Sequence, residues 1–419
     1  MFASLFGGDS PLRVLKNRNY RLYFAGQLMS VSGNWMQSVA QSWLVYRLTQ
    51  SGYWLGIITF SVHMMAFVFS PVAGVVADQR DRRKILIVVQ TVAIIQAFLL
   101  GALVLSGHVV LTHVVILAAL LGCVNAFDMT TRHTFSIDLV GKTELSSAIV
   151  LNSVVINLSR IIGPVLAGFL IGVVGEGWCF ILNGLSCVPV LVGLLTMKIN
   201  RPIVIKKTGA NNSLFGNMLE GLSYTLRHRI IFRLMLVSAG VCLVASPFVV
   251  LLPLFAEKVL GGGASTLGWL TSALGAGAVV GALGASRAAT SSGIRKQLVV
   301  YVTLWGVGLA LMGLSSSVPL SLLAMAFIGY CMMNVFPTLN NTIQQMVDDS
   351  MRGRVVALYT MTFLGTMPLG SLALGWLSDH YGAAAVTIGM GTITMLIGAS
   401  LMLILDERFQ FTHAHERVT

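Results

Sequence analysis

Twelve long apolar runs constrain what this chain can fold into more than any other feature. A helix needs roughly 20 mostly apolar residues to cross a bilayer, and backbone groups in lipid must be paired within the segment, so such runs are helices rather than strands. The chain is 56% hydrophobic and only 10% charged. We therefore predict an all-α polytopic membrane protein with twelve spans. They cover residues 20–46, 52–77, 84–106, 110–131, 145–173, 177–198, 231–256, 265–287, 297–316, 318–345, 354–379 and 383–405.

Positive charge is concentrated in one set of links. Of the 27 Lys and Arg residues, all but Arg47, Lys258 and Arg160 fall at the termini or in the even-numbered links between spans. Because an excess of Lys and Arg marks cytoplasmic loops, both termini are predicted to be cytoplasmic. The net charge of +12 is thereby explained by orientation, and nucleic-acid binding is a poor interpretation. Residues 1–19 lack the apolar core of a cleavable signal peptide.

One long polar stretch divides the spans six and six. The predicted domains are a first six-helix bundle over 1–198, a cytoplasmic linker over 199–229, a second six-helix bundle over 230–405 and a cytoplasmic tail over 406–419. The second part of the linker, Leu214 to Arg229, is predicted to form an amphipathic helix on the inner membrane face.

The two halves also resemble each other weakly. DLVGKTELSSAIVLNS, from Asp138, parallels DDSMRGRVVALYT, from Asp348, and Pro164 and Pro368 recur at comparable depth. Two related halves are typical of repeat-built transporters, although chance similarity between apolar segments is the alternative.

A short charged link, GVVADQRDRRK from Gly74 to Lys84, joins the second and third spans. A moving helical bundle needs such a link as a latch, paired in one conformation and broken in the other. The segment GALGASRAATSSGIRK, from Gly281, stands where a second copy is expected. It keeps Gly and the basic residues but lacks the Asp, which suggests that the two halves have unequal roles.

Four patterns together carry a resemblance to a known family. The twelve spans with their central link, and the pattern G-x-x-x-D-x-x-x-R-R-K after the second span, resemble the major facilitator superfamily. IIGPVLAGFLIG, from Ile161, is similar to the Gly-Pro signature on the fifth helix of its antiporters. The run LKNRNYRLYFAGQLMSVSGNWMQSVAQSWLVYRLTQS resembles the bacterial efflux branch that includes the enterobactin exporter.

The resemblance implies two pseudo-symmetric six-helix bundles in a bacterial inner membrane. The implied function is secondary active export of a drug-like or siderophore-like small molecule by alternating access, driven by proton antiport. An importer of a small metabolite or a lipid transporter of the same fold is the alternative within transport. A non-transporting receptor or scaffold is a third class, against which the intact link argues, because a static protein has no use for a switchable latch.

The resemblance also implies a gate at the inner side. Asp128 and Arg132 lie four apart and are predicted to pair along one helix, joining Asp78 and Arg82 in a network that holds the gate shut. The alternative is a surface ion pair worth under about 1 kcal/mol. The family usually has Gly where Asp81 stands, so the latch strength is expected to differ. The predicted gating residues are Gly74, Asp78, Arg82, Arg83, Asp128, Arg132, Gly163 and Pro164.

Polar side chains at helical spacing mark two spans as candidates for substrate binding. In the first span, Gln27, Asn34 and Gln41 are seven apart, and the tenth span offers a counterpart. Because amides facing lipid are costly, these stripes must face protein or water, and hydrogen bonding between helices without substrate contact is the alternative. The predicted substrate-binding residues are Asn34, Gln37, Gln41, Arg160, Asn334 and Asn341.

Arg160 is the one strong charge near the middle of a span. Its burial costs on the order of 3 kcal/mol, so it needs a partner or a hydrated cavity. Its guanidinium is suited to gripping an anionic or catecholate-like group through two parallel hydrogen bonds. The structural alternatives are a permanent pair with Asp128, or capping of carbonyls freed by Pro164.

Proton coupling is implied by the resemblance and has two candidate residues. Asp128 is the deepest acid on the inner side, and His63 lies in the middle of the second span, where it titrates near neutrality. For His63, a hydrogen-bonded packing role is the alternative. The family's usual Arg early in the fourth helix has no counterpart in ILAALLGCVNAF, which leaves its proton path without one of its parts.

No pattern in the sequence predicts catalysis or a cofactor. We find no HExxH, phosphate loop or Ser/His/Asp arrangement, and the five cysteines read as small packing residues without metal-like spacing. The expected protein is a monomeric transporter, not an enzyme, without metal or cofactor. Its expected partners are a small-molecule substrate, membrane lipid and, as coupling ion, protons.

Overall fold

The structure is a computed structural model that describes residues 11–141, 144–197, 214–285 and 294–404. Over these ranges the chain is helical and contains no strand, so the all-α prediction is confirmed. The predicted tail over 406–419, residues 199–213 of the predicted linker and residues 286–293 of the second link copy lie outside the described residues.

A helix occupies the place of every predicted span in the described part of the chain, and one shorter helix lies in the predicted linker. Eleven are long and apolar enough to cross a membrane, while α1 is less apolar because of its amides. The helices are α1 Arg18–Thr49, α2 Gly52–Gln79, α3 Arg82–Leu105, α4 Leu111–Val140, α5 Leu145–Val174, α6 Glu176–Thr196, α7 Leu214–Arg227, α8 Arg229–Val259, α9 Gly263–Ala285, α10 Ile294–Leu314, α11 Val318–Met346, α12 Asp349–Tyr381 and α13 Ala383–Ile404.

Local sequence sets where several of these helices begin and end. Asn17 caps α1 by accepting hydrogen bonds from the N–H groups of Asn19 and Tyr20, as short polar side chains do at helix starts. Gly175 (φ +86°) separates α5 from α6, and Gly382 (φ +83°) separates α12 from α13. Only glycine adopts this conformation readily, and the two glycines hold corresponding places in the two halves.

The helix α8 is irregular where the sequence predicted a continuous span. Its first α-helical part ends at Val244, and a 3₁₀ stretch, Ser246–Leu251, a short α-helical turn, Leu252–Leu254, and a π stretch, Phe255–Val259, complete it. Pro247 and Pro253 lie in this part and have no backbone N–H to donate, which interrupts the regular pattern.

The chain divides into two compact units. The first comprises Met1–Gly209 with Gly261–Ser272, and the second comprises Ala210–Leu260 with Ala273–Thr419. The start of α9 belongs to the first unit, and there Ser265 Oγ donates to the carbonyl of Gly168 on α5 at 3.3 Å. The predicted domain boundaries place all of this span in the second bundle, and they stay a prediction.

Aromatic contacts fill the core of each unit. In the first, Tyr23 and Phe135 meet edge to face at 5.7 Å between ring centroids. In the second, Trp305 contacts Phe336, which in turn contacts Phe363, at centroid distances of 5.6 and 5.4 Å. Large apolar side chains elsewhere remain exposed, as is expected of helices that face lipid; examples are Val88, Ile116, Leu323 and Leu396.

Candidate functional site: charged and polar clusters

Arg82 joins the ends of three helices of the first unit. Its Nη1 donates to both carboxylate oxygens of Asp138 on α4, at 3.0 and 2.8 Å, and its Nε donates to the carbonyl of Ala77 on α2 at 3.2 Å. Arg82 itself opens α3. Asp78, the acid of the charged link, lies 3.9 Å from Arg82 and its side chain is 62% exposed. The stronger partner of Arg82 is therefore Asp138, because charge-assisted hydrogen bonds at this distance exceed a loose pair in water.

Two further charged residues of the link, Arg83 and Asp81, bind the ends of helices. Arg83 donates from Nε to the carbonyl of Leu194 at 2.6 Å and from Nη2 to that of Leu195 at 3.0 Å. Both carbonyls lie in the last turn of α6, where cations satisfy unpaired acceptors. Asp81 caps α3 by accepting from the N–H groups of Arg83 and Lys84. Asp81, which stands where the family usually has Gly, thus stabilises the start of α3.

Asp128 and Arg132 form a second charged cluster. Arg132 donates to Asp128 Oδ2 and to Gln27 Oε1 on α1. Gln90 on α3 donates to Asp128 Oδ1 at 3.1 Å. Both charged side chains are largely buried, at 15% and 16% exposure. The surface ion pair considered as an alternative does not fit this burial, and among the described residues no hydrogen bond or ion pair joins this cluster to Arg82.

Gln37 lies in the interior of the first unit. Its Nε2 donates to Gln96 Oε1 on α3 at 3.1 Å, and its Oε1 accepts from Asn183 Nδ2 on α6 at 2.6 Å. Both the nitrogen and the oxygen of this amide are thereby hydrogen-bonded to neighbouring helices. For Gln37 this geometry favours the alternative of hydrogen bonding between helices, and its contact with substrate stays a prediction.

The remaining predicted amides differ in exposure. Asn34 on α1 is exposed, whereas Gln41 is buried. In the second unit, Asn341 on α11 is exposed and Asn334 is buried, with its Nδ2 donating to the carbonyl of Tyr330 at 2.8 Å. Asn34 and Asn341 are therefore the two of these four amides that are exposed rather than packed within a unit.

Arg160 has a partner that the sequence did not indicate. Its guanidinium carbon lies 5.2 Å from the centre of the Trp35 ring on α1, and its buried Nε has no hydrogen-bond acceptor among the described residues. The permanent pair with Asp128, considered as an alternative, is wrong in this structure, because Asp128 binds Arg132.

His63 and three of the predicted gating residues, Gly74, Gly163 and Pro164, lie within helices. His63 Nδ1 donates to the carbonyl of Thr59, one turn earlier, at 3.0 Å, as the packing alternative supposed. A Cβ added to Gly74 meets nothing within 4 Å, whereas one at Gly163 falls 2.6 Å from Trp35 Cβ. Pro164 is buried. Close packing therefore requires glycine at 163 and not at 74.

Sequence reasoning missed several partners that complete these clusters. Asp138 was noted only as the start of a repeat, and the missing information was the fold that brings α4 to Arg82. The other missed residues are Trp35, Gln90, Gln96 and Asn183. The three amides share a signal that was available, which is a strongly polar side chain inside an apolar span.

Comparison with known proteins gives a family and several relatives. The profile of a family described as transmembrane secretion effector matches residues 9–415. The staphyloferrin A transporter of Staphylococcus aureus is 23% identical over 386 residues, which cover 90% of this chain and 94% of that protein. The multidrug efflux pump Tap of Mycolicibacterium fortuitum is 26% identical, covering 88% and 92%. The enterobactin exporter EntS of Escherichia coli is 24% identical, covering 96% and 95%.

Solved structures with the same fold are transporters as well. A bacterial homologue of the human lysosomal transporter Spinster, in an inward-facing and occupied conformation, matches with a TM-score of 0.75 and 12% identity, covering 97% of this chain and all of that one. A D-xylose-proton symporter matches with a TM-score of 0.70 and 14% identity, covering 94% and 98%. At these identities the likeness shows the fold.

Proposed function

Because the chain belongs to the transmembrane secretion effector family of the major facilitator superfamily, we propose that it exports a small organic molecule, drug-like or siderophore-like, across a bacterial cytoplasmic membrane by alternating access. The observation that carries the proposal is the agreement of three relatives, each matched over nearly its whole length. Their names describe a siderophore transporter, a drug efflux pump and a siderophore exporter.

Direction of transport is the part of the proposal to test first. Everted membrane vesicles expose the cytoplasmic face, so an exporter accumulates substrate inside them when a proton gradient, acid inside, is imposed. The substrate for that assay is chosen by a screen of a strain that lacks this chain. The screen measures its sensitivity to antibiotics and its growth under iron starvation. Uptake by right-side-out vesicles, with none by everted ones, would instead identify an importer. Movement of a lipid between leaflets in proteoliposomes would identify a lipid transporter.

The two charged clusters of the first unit are the proposed gate at the cytoplasmic side. In this proposal Arg82 with Asp138 and Asp78, and Arg132 with Asp128, stay paired in one conformation and separate in the other. Breaking a pair without new partners is costly when the charges are buried, so the clusters give the closed gate a definite stability. Arg83, Gly74, Gly163 and Pro164 are proposed to guide the helix movements.

Proton antiport is proposed to run through Asp128. This acid is largely buried and bonded to Arg132 and Gln90, and its protonation would release Arg132 from a charge partner. His63, whose ring is bonded within its own helix, is the second candidate. Asp128→Asn should make export independent of the pH gradient or abolish it, and His63→Gln should leave the dependence intact. The reverse result would assign the coupling to His63.

Substrate contact is proposed for the exposed amides Asn34 and Asn341, with Gln41 and Asn334 as buried neighbours on the same helices. Replacement of either exposed amide by Ala should raise the KM for export severalfold, because one or two hydrogen bonds to substrate are lost. Gln37→Ala serves as the contrast, since we expect it to reduce folding stability more than substrate affinity.

A further inference from the structure

Arg160 stands out in the described part of the chain because it is a central charge with no ionic partner. It lies 15 residues after the first residue of α5 and 14 before the last. A cation at such depth does not face lipid, so it faces protein or water. No ion pair to it is present among the described residues, and its buried Nε lacks an acceptor. The site therefore holds positive charge that the fold leaves uncompensated.

The surroundings fix the position of this guanidinium. Gly163, one turn after Arg160, has no side chain, and an added Cβ there would lie 2.6 Å from both the carbonyl of Ser32 and Cβ of Trp35. Ser32 Oγ donates to Ser159 Oγ at 2.9 Å. These two contacts press α1 against α5 at the level of Arg160. They explain why the Trp35 ring reaches the guanidinium.

The Trp35 ring orients the cation without neutralising it. A guanidinium over an indole face is attracted by the ring quadrupole, yet the ring accepts no conventional hydrogen bond from its N–H groups. The N–H donors, arranged as a planar fork, remain available to a carboxylate. An aspartate or glutamate in the place of Trp35 would have occupied them.

Pro164 adds a second feature at the same point of α5. It has no N–H to donate to the carbonyl of Arg160, four residues earlier. The helix therefore presents an acceptor close to the guanidinium. A ligand with an anionic group and a neighbouring hydroxyl matches both features, since the hydroxyl can donate to this carbonyl.

From these observations we infer that Arg160, held by Trp35, is a binding site for the carboxylate of an organic anion. This inference names the substrate class for the proposed export function and rests on it. The occupant is an organic acid, and hydroxy acids fit better than simple ones. A purely cationic drug gains nothing from this site.

Binding is tested with simple probes on the purified full chain. Benzoate and salicylate carry the carboxylate, benzamide is the neutral analogue of benzoate, and salicylate adds the hydroxyl. We expect both anions to raise the melting temperature of the native chain, salicylate more than benzoate, and benzamide to raise it less. Arg160→Gln should weaken binding of the anions by about tenfold to a hundredfold, the range for a lost hydrogen bond to a charged group.

Conservative variants keep the test valid if Arg160→Gln does not fold. Arg160→Lys retains the charge and loses the planar fork, so we expect partial loss of anion binding. Trp35→Phe should weaken binding a few-fold, whereas Trp43→Phe on the same helix and Asn157→Ala one turn before Arg160 are the matched controls. Equal binding of benzoate and benzamide, or anion binding unchanged by Arg160→Gln and Arg160→Lys, would overturn the inference.

Transport in everted vesicles separates this inference from the proposed function. If the native chain exports substrate but Arg160→Gln reduces the flux of anionic and neutral substrates equally, Arg160 is not an anion-binding site, and the proposed export function is unaffected. If anion binding depends on Arg160 while vesicles of neither orientation take up substrate, the anion-binding site is supported and the proposed export function is wrong.

Discussion

Each half of the chain has an aspartate just before its fifth span, and the two aspartates have different partners. In the first unit Asp138 is bound by both hydrogen bonds from Arg82 Nη1. In the second, Asp348 Oδ2 accepts from the hydroxyl of Tyr224 on α7 at 3.1 Å. The first contact is between opposite charges and is 18% and 33% exposed, whereas the second joins an acid to a neutral phenol at an exposed position.

The different partners of the two aspartates accompany a difference in the charged link. The first half keeps the complete link, so its aspartate has an arginine to bind. The second copy lacks the Asp, and there the linker helix α7 contacts the start of α12 instead. Glu220 on α7 also pairs with Arg354 on α12 at 2.9 Å. Corresponding positions thus hold an aspartate in both halves, paired with an arginine in the first and bonded to Tyr224, in a tether between α7 and α12, in the second.

The largest effect is expected from Arg82. Arg82→Gln removes the ion pair to Asp138, and export in everted vesicles should fall at least tenfold at equal protein level, because the proposed gate loses its main pair. Arg80→Gln, two residues earlier on an exposed arginine, should export at the native rate. Partial recovery of export in the charge-reversed double variant, Arg82→Asp with Asp138→Arg, would show that this ion pair itself is needed. Full export activity of Arg82→Gln would contradict its role in the gate.

A smaller effect, on stability, is expected from the buried pair of the first unit. Arg132→Met leaves Asp128 without its cation, and we expect a loss of about 3 kcal/mol in unfolding free energy, the lower end of the range for a buried pair with one partner removed. Thermal melting in detergent measures it. The double variant with Asp128→Asn should recover part of the loss, and no recovery would mean that the two charges act independently.

The fold followed from the sequence because hydropathy and length decide membrane spans almost alone. Residues 20–46 and 383–405 were placed correctly within a few residues for that reason. The charged and polar clusters were harder to predict from the sequence. The pair Asp128 and Arg132 was visible as a four-residue spacing, but Arg82 with Asp138 spans two helices, and no local pattern records which helix ends meet. Trp35 beside Arg160 depends on Gly163, whose role as a close contact appears only once α1 and α5 are packed.

The exposed pair of the second unit should matter less than either pair of the first. Glu220 and Arg354 are 53% and 27% exposed, so Glu220→Gln should cost under about 1 kcal/mol, and the cost should shrink further at high salt. Melting at low and high ionic strength measures both. A loss as large as that for Arg132→Met would show that α7 is as firmly held as the buried cluster, and the contrast between the units would disappear.

The smallest effect concerns Tyr224, and its pH dependence has a definite sign. Partial burial, together with the neighbouring Asp348, raises the pKa of Tyr224 above its ordinary value of 10, so the phenol remains a donor. A group with a raised pKa contributes stability that is complete below its unfolded pKa and is lost as pH rises through the folded one. Tyr224→Phe should therefore lower the melting temperature slightly and equally from pH 6 to 9, with the difference closing only above about pH 10. The series is run in a His228→Gln background, because that imidazole stacks on the Tyr224 ring at 4.1 Å. A difference that vanishes between pH 6 and 8 would mean that another group controls the tether.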